Sequence, residues 1–380
     1  MPHFPFRHPA QDAFVDTQRI IANGLHNAFC GFTRWRDRYW LSYREAQTHD
    51  PVTPGVVRIW ESPDARSWTP AATLATGGDD RDPHLLGLPD RLLCVWGTQV
   101  PRWGYGVLMP QTLPNSVRDL VSHVSLSRDG RVWSTPAQVH RIGYWLWSVL
   151  EAGADGYVGA AYHGGTGGDR SDIFLLDSTD SLNWRTPYRP SFTGVPGWDP
   201  CEPALARHPE TQRLVCAVRV GDWTHAQWGV QQTDVRQWVW QSLGEVLHAP
   251  AVCWVAGTWV VAGRVLRDPL TAPRPRRGAR RPDPTRAAAV SDEAVRQQAW
   301  GRWVTAVGTV DPQTGAWQRQ VVLPSGGDTS YPGLWYDAEA RELLVVYYSQ
   351  HDRAADLAQE MPLRPADIYM VRLAVEGPVS

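Results

Sequence analysis

The chain has 380 residues, of which 43% are hydrophobic and 20% charged, and its formal net charge is -2. That length exceeds the roughly 250–300 residues at which a single hydrophobic core stops growing, so several domains or locally packed repeats are required. A charge near zero provides no overall attraction to nucleic acid or to an anionic membrane. No apolar run approaches the about 18 residues of a membrane span, so we expect no membrane partner.

Neither a targeting signal nor a cofactor-binding motif is evident in the sequence. The N-terminus lacks a basic region followed by an apolar one, so we expect no signal peptide and a cytoplasmic protein. Five scattered cysteines fit free thiols better than disulfides or a zinc site. No Cys or His spacing predicts a metal site and no glycine loop has a phosphate-binding context, so no cofactor is expected.

Tryptophan is unusually frequent, with 21 copies, and several of them end a repeated motif. Three copies share Ser-x-Asp-x-x-x-Trp and two weaker ones keep the Asp and the Trp: SPDARSW (62–68), SRDGRVW (127–133), STDSLNW (178–184), QTDVRQW (232–238) and DPQTGAW (311–317). Ser and Asp side chains bond backbone N–H groups in turns. Each copy therefore predicts a hairpin turn whose tryptophan folds back over the adjacent hairpin.

Between these turns the sequence predicts β-strands. The β-branched and aromatic runs are, in chain order, DRYWLSYRE, RLLCVWG, RLVCAVRV, TWVVAGRV, RWVTAVGTV and ELLVVYYS. Only a short stretch at 291–300 has a helical pattern. The repeat intervals and the strands predict an all-β fold: one six-bladed β-propeller domain over 1–380, with four antiparallel strands per blade and a degenerate sixth blade.

One segment interrupts the repeats. Residues 267–290 are rich in Pro and Arg and have no periodicity, which predicts a flexible insertion at about 267–298 between two strands of one blade. No aromatic residue alternates with its arginines as in nucleic-acid binders, so we expect a solvated loop and no nucleic-acid partner.

Three arginines follow apolar strand-like runs: Arg44 in WLSYRE, Arg219 in CAVRV and Arg264 in VAGRV. A guanidinium that points into a channel loses solvation unless it meets an anion. Several together form a clamp that suits a carboxylate. Each one singly is also explained by an ion pair within the protein.

The motif copies look like the Asp boxes of the sialidase superfamily, and the order of other segments is similar too. These segments are RYWLSYREAQTHD, RDPHLL, DPCEPALARHPETQRLVCAVR, VVAGRV and GGDTSYPGLW, and the resemblance spans about residues 26–373. It implies the sialidase six-bladed propeller and a small-molecule glycan as the partner. It leaves the oligomeric state open.

The resemblance implies roles for individual residues. Tyr331 matches the tyrosine nucleophile and Glu202 matches its base, an exception to the usual pair of carboxylates in glycosidases. A phenol suits this task because sialic acid carries a carboxylate on its anomeric carbon, which would repel a carboxylate nucleophile. Arg219 and Arg264 match two members of the arginine triad that holds this carboxylate.

Four more positions match the wall of the sialidase site. Arg44 corresponds to a wall arginine, and Asp50 occupies the place of the general acid. His49 is a rival acid because histidine titrates near neutral pH. Asp82 matches a second aspartate that is expected to contact the substrate.

Two positions depart from the family pattern. His26 occupies the place of the first triad arginine, and Tyr348 and Ser349 replace a late glutamate that supports that arginine in sialidases. Loss of both members of one ion pair is coherent, because loss of one would leave an unpaired buried charge. The substrate therefore need not be sialic acid.

The leading functional hypothesis is a retaining, sialidase-like exo-glycosidase that hydrolyses a terminal acidic sugar. Two alternatives remain: a non-catalytic propeller that binds carbohydrate or protein, and a glycosidase or lyase for a different acidic or neutral sugar. Trp145 and Trp147 in GYWLWS could stack on a sugar ring, although core packing explains either of them singly.

Overall fold

The structure, a computed structural model, describes residues 17–49, 54–101, 118–153, 156–163, 173–188, 200–221, 224–268, 302–352 and 363–376. In these ranges the chain forms 24 β-strands and no α-helix. No helix in the described ranges could therefore cross a membrane. The short helical stretch expected at 291–300 lies outside the described residues.

The strands form six antiparallel sheets of four, which we call blades. Blade 1 consists of β2 (His26–Trp35), β3 (Arg38–Ala46), β4 (Val56–Ser62) and β5 (Thr69–Leu74). Blade 2 consists of β6 (Asp79–Gly87), β7 (Leu92–Pro101), β8 (Arg118–Ser127) and β9 (Ala137–Val139). Blade 3 consists of β10 (Tyr144–Glu151), β11 (Tyr157–His163), β12 (Ile173–Ser178) and β13 (Arg185–Tyr188).

Blade 4 consists of β14 (Pro200–Arg207), β15 (Leu214–Val220), β16 (Gln227–Gln231) and β17 (Trp238–Ser242). Blade 5 consists of β18 (Leu247–Val255), β19 (Thr258–Leu266), β20 (Trp303–Val310) and β21 (Trp317–Val322). Blade 6 consists of β22 (Thr329–Asp337), β23 (Glu342–Ser349), β24 (Asp367–Ala374) and β1 (Thr17–Ile21). The first strand of each blade contacts the first strands of both neighbouring blades, which closes a ring. The prediction of a six-bladed propeller is confirmed.

Blade 6 is closed by a strand from the other end of the chain. β1 pairs antiparallel with β24, and an ion pair of 2.6 Å joins Arg19 to Asp367 across this pairing. No short turn can link two strands so far apart in the sequence. This is why the sixth blade has no Ser-x-Asp-x-x-x-Trp motif.

The five motif copies form the turns between the third and fourth strands of blades 1–5. In STDSLNW, for example, Asp180 Oδ1 accepts bonds from the backbone N–H groups of Leu182 and Asn183 at 2.9 and 2.7 Å. Trp184 Nε1 then donates to the carbonyl oxygen of Ser181 at 2.9 Å, so the indole folds back over the turn. The predicted role of the aspartate in the turn is confirmed.

The hydrophobic core is divided among the blade interfaces. Among the described residues, each of the six junctions between neighbouring blades has its own cluster of buried apolar side chains. The tryptophan of each motif packs at the junction with the preceding blade, as seen for Trp68, Trp133, Trp184, Trp238 and Trp317. Burying a large indole at every such junction stabilises the ring without a single central core.

The Pro- and Arg-rich segment connects β19 to β20, which are neighbouring strands of blade 5. Residues 269–301, which include most of the insertion expected at about 267–298, lie outside the described residues.

Candidate active site

The inner strand of every blade carries a β-bulge close to its start. The pairing between the first and second strands shifts at one point in each blade, and the residues at the shifts are Phe29, Asp82, Trp147, Glu202, Ala249 and Tyr331. A bulge interrupts the strand pairing and re-aims side chains. Because the inner strands form a ring, the six bulges bring residues from six distant segments together. Five of them line one cavity: Phe29, Asp82, Trp147, Ala249 and Tyr331.

The backbone of this bulge ring is strained. Five of its residues have a positive φ: Phe29 (62°), Asp82 (52°), Glu202 (54°), Ala249 (46°) and Tyr331 (46°). A non-glycine residue in this region costs about 1–2 kcal/mol and persists where the surrounding structure enforces it, which is often at a functional site. Four of the five precede a proline, which has no N–H for the strand pairing and is tolerated at bulges.

Tyr331 and Glu202 are in direct contact, although 129 residues separate them in the sequence. The phenolic hydroxyl of Tyr331 donates to Glu202 Oε1 at 2.9 Å. The same oxygen accepts from Arg219 Nη1 at 2.7 Å, and Oε2 accepts from the backbone N–H of Ala249 at 2.7 Å. Three donors thus fix the orientation of the carboxylate that faces the phenol.

The surroundings of Tyr331 keep its phenol protonated. Burial raises the pKa of Tyr331 well above its ordinary value, the charge of Glu202 raises it further, and Arg264 and Arg219 oppose the increase. The guanidinium carbon of Arg264 lies 5.3 Å from the ring centroid of Tyr331. An adjacent base is therefore required before this phenol can act as a nucleophile, and Glu202 is in position to be that base.

Asp82 also lies in the cavity wall. It is 7% exposed, and its Oδ1 has no hydrogen-bond partner among the described residues. Burial raises the pKa of Asp82 to about 7, with a smaller contribution from Glu202, while Arg81 and Arg44 oppose the increase. A carboxyl group with this pKa is partly protonated at neutral pH, so it can either accept or donate a hydrogen bond. The contact of Asp82 with a substrate stays a prediction.

The three arginines of the sequence analysis occupy one register position in their blades. Each is paired with the residue just before the bulge of the inner strand, as Arg44 with Ala28, Arg219 with Cys201, and Arg264 with His248. In blade 6 this position belongs to Tyr348, paired with Ser330. The three arginines therefore do recur at equivalent strand positions.

Arg264 is bound to an acidic residue of the protein. Its Nη2 lies 3.1 Å from Asp328 Oδ1 and donates to the Tyr348 hydroxyl at 3.0 Å, while its Nε donates to the carbonyl oxygen of Thr329 at 2.7 Å. His26, in the place of the missing triad arginine, contacts the same carboxylate from Nε2 to Oδ2 at 2.9 Å. Burial lowers the pKa of His26 to about 4, so this ring is neutral at pH 7.

Arg44 belongs to a second buried ion-pair group. Its Nε and Nη2 contact Asp79 Oδ1 at 2.8 and 2.6 Å, and Arg81 Nε contacts Asp79 Oδ2 at 2.7 Å. Arg81 Nη2 also donates to the carbonyl oxygen of His49 at 2.8 Å, so this group anchors the backbone beside the expected general acid. Arg44 thus supports the wall through Asp79, and it does not line the cavity beside Tyr331.

Of the two candidate general acids, one can be placed. His49 Nδ1 contacts Asp328 Oδ2 at 2.5 Å, and the ring packs edge-on against His26 and Phe29, with centroids 5.3 and 5.7 Å apart. Asp50 lies outside the described residues. Among the described residues, His26, His49 and Asp328 also have ligand atoms within 4.8 Å of one another, as a metal site would require. The guanidinium of Arg264 against the same carboxylate disfavours a cation there, and we assign none.

Three residues of the site were not singled out from the sequence. They are Asp328 and Asp79, the buried partners of the arginines, and Phe29, whose ring centroid lies 4.7 Å from that of Tyr331. A usable signal was present in the X-Pro pairs inside strand-like runs (Asp82-Pro83, Glu202-Pro203, Ala249-Pro250 and Tyr331-Pro332), because proline within a strand marks a bulge.

Comparison with known proteins supports the fold. No protein-family model and no curated protein matches the sequence. Among solved structures, the sialidase of Trypanosoma rangeli is similar with a TM-score of 0.57 and 13% identity, over 97% of this chain and 58% of that one. A mutant of this sialidase that displays trans-sialidase activity gives 0.58 and 12%, over 95% of this chain and 59% of that one.

A second kind of glycosidase has the same fold. The GH93 α-L-arabinofuranosidase of Fusarium graminearum, in complex with arabinobiose, gives a TM-score of 0.61 and 12% identity, over 94% of this chain and 98% of that one. The chain therefore spans about three fifths of the length of the sialidases and nearly all of the arabinofuranosidase. At these identities the likeness establishes the fold that the sequence predicted, a propeller shared with glycosidases.

Proposed function

We propose that the protein is a retaining exo-glycosidase in which Tyr331 is the nucleophile and Glu202 its base. The observation that carries the proposal is the 2.9 Å hydrogen bond from the Tyr331 hydroxyl to Glu202 Oε1 in the wall of a cavity. Proton transfer needs heavy atoms about 2.6–3.2 Å apart, and this contact is in that range. The glycosidases that share the fold lend support.

In the first step Glu202 takes the phenolic proton while the Tyr331 oxygen attacks the anomeric carbon. The bond from that carbon to the leaving oxygen breaks, and a general acid protonates the leaving oxygen. In the second step water attacks the same carbon, the former acid accepts the proton of that water, and Glu202 returns its proton to the phenol. Two displacements at one carbon retain its configuration.

The general acid comes from the segment at residues 49–50. Asp50 is the position that the sialidase resemblance favours, and His49 is its rival. The contact of His49 with the buried Asp328 favours Asp50, because a histidine held by a carboxylate is poorly placed to follow the leaving group. Asp82, Arg219 and Arg264 would contact the glycone (the sugar residue that is transferred).

The glycone is either an acidic or a neutral sugar. The sequence favours an acidic sugar held by Arg44, Arg219 and Arg264 together with His26. A neutral sugar is the alternative, and a specific observation favours it: His26 and Arg264 are both bound to Asp328.

A turnover assay tests the proposal. Wild type, Tyr331→Phe and Glu202→Gln are incubated with fluorogenic sialosides, uronides and neutral glycosides. Loss of a general base typically lowers the rate by about 10²–10⁴-fold, and we expect Glu202→Gln to fall in this range and Tyr331→Phe to lose at least as much. Tyr336→Phe, on the same strand but outside the cavity lining, is the matched control and should keep its activity.

One outcome of this assay would contradict the proposal. If wild type and Tyr331→Phe share the same negligible rate on every substrate, the enzymatic proposal is wrong. Glycan binding that survives both Tyr331→Phe and Glu202→Gln would then indicate a non-catalytic binding propeller.

A further inference from the structure

Asp328 is a fully buried carboxylate whose two oxygens are both used by the protein. Oδ1 accepts from the Tyr348 hydroxyl at 2.8 Å and contacts Arg264 Nη2 at 3.1 Å. Oδ2 contacts His26 Nε2 at 2.9 Å and His49 Nδ1 at 2.5 Å. Two partners for each oxygen approach the number of lone-pair sites that a carboxylate offers.

The partners of Asp328 include the groups that would otherwise bind a substrate carboxylate. Arg264 is a clamp arginine of the resemblance, and His26 stands in the place of another. Asp328 therefore makes, from within the protein, the kind of contact that an acidic sugar would make from outside. The pKa of Asp328 shows the same match: burial alone would raise it, yet His49, His26 and Arg264 hold it well below its ordinary value.

The remaining guanidinium groups around the bulge ring also contact carboxylates of the protein. Arg219 is paired with Glu202 at 2.7 Å, and Asp79 is shared by Arg44 and Arg81. Arg44 and Arg81 thus share one carboxylate, and Asp82 in the wall is the fourth acidic group for the four guanidinium groups.

Adding an anionic ligand to this set of paired arginines and carboxylates is unfavourable. The ligand would either displace Asp328 from Arg264 and leave a buried carboxylate unpaired, or place an extra negative charge beside Glu202 and Asp82. An unpaired buried charge carries a large desolvation penalty. A neutral, hydroxylated ring requires only hydrogen bonds, which Asp82 and the arginine N–H groups can provide.

We propose that Asp328 is a built-in carboxylate that makes this site selective for an uncharged glycone over an acidic one. The inference rests on the proposed function, because selectivity for a glycone has meaning only if the site binds a sugar. Its test is a binding measurement that needs no turnover, so the two proposals can fail separately.

The test is titration calorimetry of the full chain with free monosaccharides in matched pairs: D-glucuronate against D-glucose, and D-galacturonate against D-galactose, with N-acetylneuraminate added. Wild type should bind each acid at least about tenfold more weakly than its neutral partner. Asp328→Asn keeps the shape and removes the charge, so it should bind the acids at least about tenfold more tightly than wild type does, and the ratio of acid to neutral-sugar affinity should rise by at least as much. Asp337→Asn, at the far end of β22, the strand that begins directly after Asp328, is the matched control and should behave as wild type.

A second variant keeps the test independent of how well the asparagine variant folds. Asp328→Ala leaves a gap between Arg264 and the two histidines, and added acetate should fill it. Acetate should therefore raise the Tm of Asp328→Ala and leave that of wild type unchanged. The proposal is overturned if wild type binds the acids as tightly as their neutral partners, or if acetate affects wild type and variant alike.

Discussion

Asp82 is the residue whose ionisation should be visible in the stability of the whole protein. Its pKa is raised to about 7 by burial, so the folded protein holds its proton more tightly than the unfolded chain does. Between about pH 4 and pH 7 the unfolded chain loses this proton first, and stability decreases as pH rises through that range. The decrease is complete above the folded pKa.

Replacing Asp82 with asparagine should remove this pH dependence, because an amide does not titrate. We expect the Tm difference, Asp82→Asn minus wild type, to become more positive between pH 4 and pH 8 in thermal unfolding followed by circular dichroism. Asp129→Asn, a turn aspartate in the same blade, controls for the substitution. A difference that stays constant over this range would show that Asp82 titrates normally.

At the residue scale, the sequence could identify the proposed nucleophile and base only through the sialidase resemblance. Tyr331 and Glu202 are 129 residues apart, and no local pattern predicts their hydrogen bond. Asp328 and Asp79 were missed because an aspartate beside a strand looks the same whether it is solvated or paired with a buried arginine. The preference for buried ion pairs is a non-local property of packing.

The turns between third and fourth strands are the element that the sequence predicted best. Their Ser, Asp and Trp residues act within seven residues of each other, so the pattern alone determines the hydrogen bonds. The bulges were harder to predict. Only the strand-internal prolines indicated them, and the bulges of Phe29 and Trp147 have no proline.

A single turn can test how much these bonds contribute. Asp180→Ala removes the two acceptor contacts to Leu182 and Asn183 and should lower the free energy of unfolding by about 1–2 kcal/mol. Asp180→Asn keeps the side-chain oxygen and should lose less than half as much in urea unfolding. Equal losses in both variants would show that the charge, and not the geometry of the turn, stabilises it.

At the scale of the molecule, the six-fold arrangement explains both the core and the site. Each blade junction buries its own apolar cluster, and the same arrangement brings five of the six bulged strands around one cavity. The repeats predicted the number of blades, but they did not predict that β1 completes blade 6. Pairing of β1 with β24 joins opposite ends of the chain, and short-range patterns contain no information on it.

The central claim, that this closed ring presents Tyr331 to a sugar with Glu202 as its base, is tested most directly by trapping the intermediate. A glycosyl fluoride of the sugar that is turned over fastest, with a second fluorine on the carbon next to the anomeric carbon, is incubated with wild type, and the adduct is located by peptide mass spectrometry. We predict one added glycosyl group on Tyr331, and none in Tyr331→Phe. An adduct on Glu202 or Asp82, or rapid turnover by Tyr331→Phe, would contradict the account.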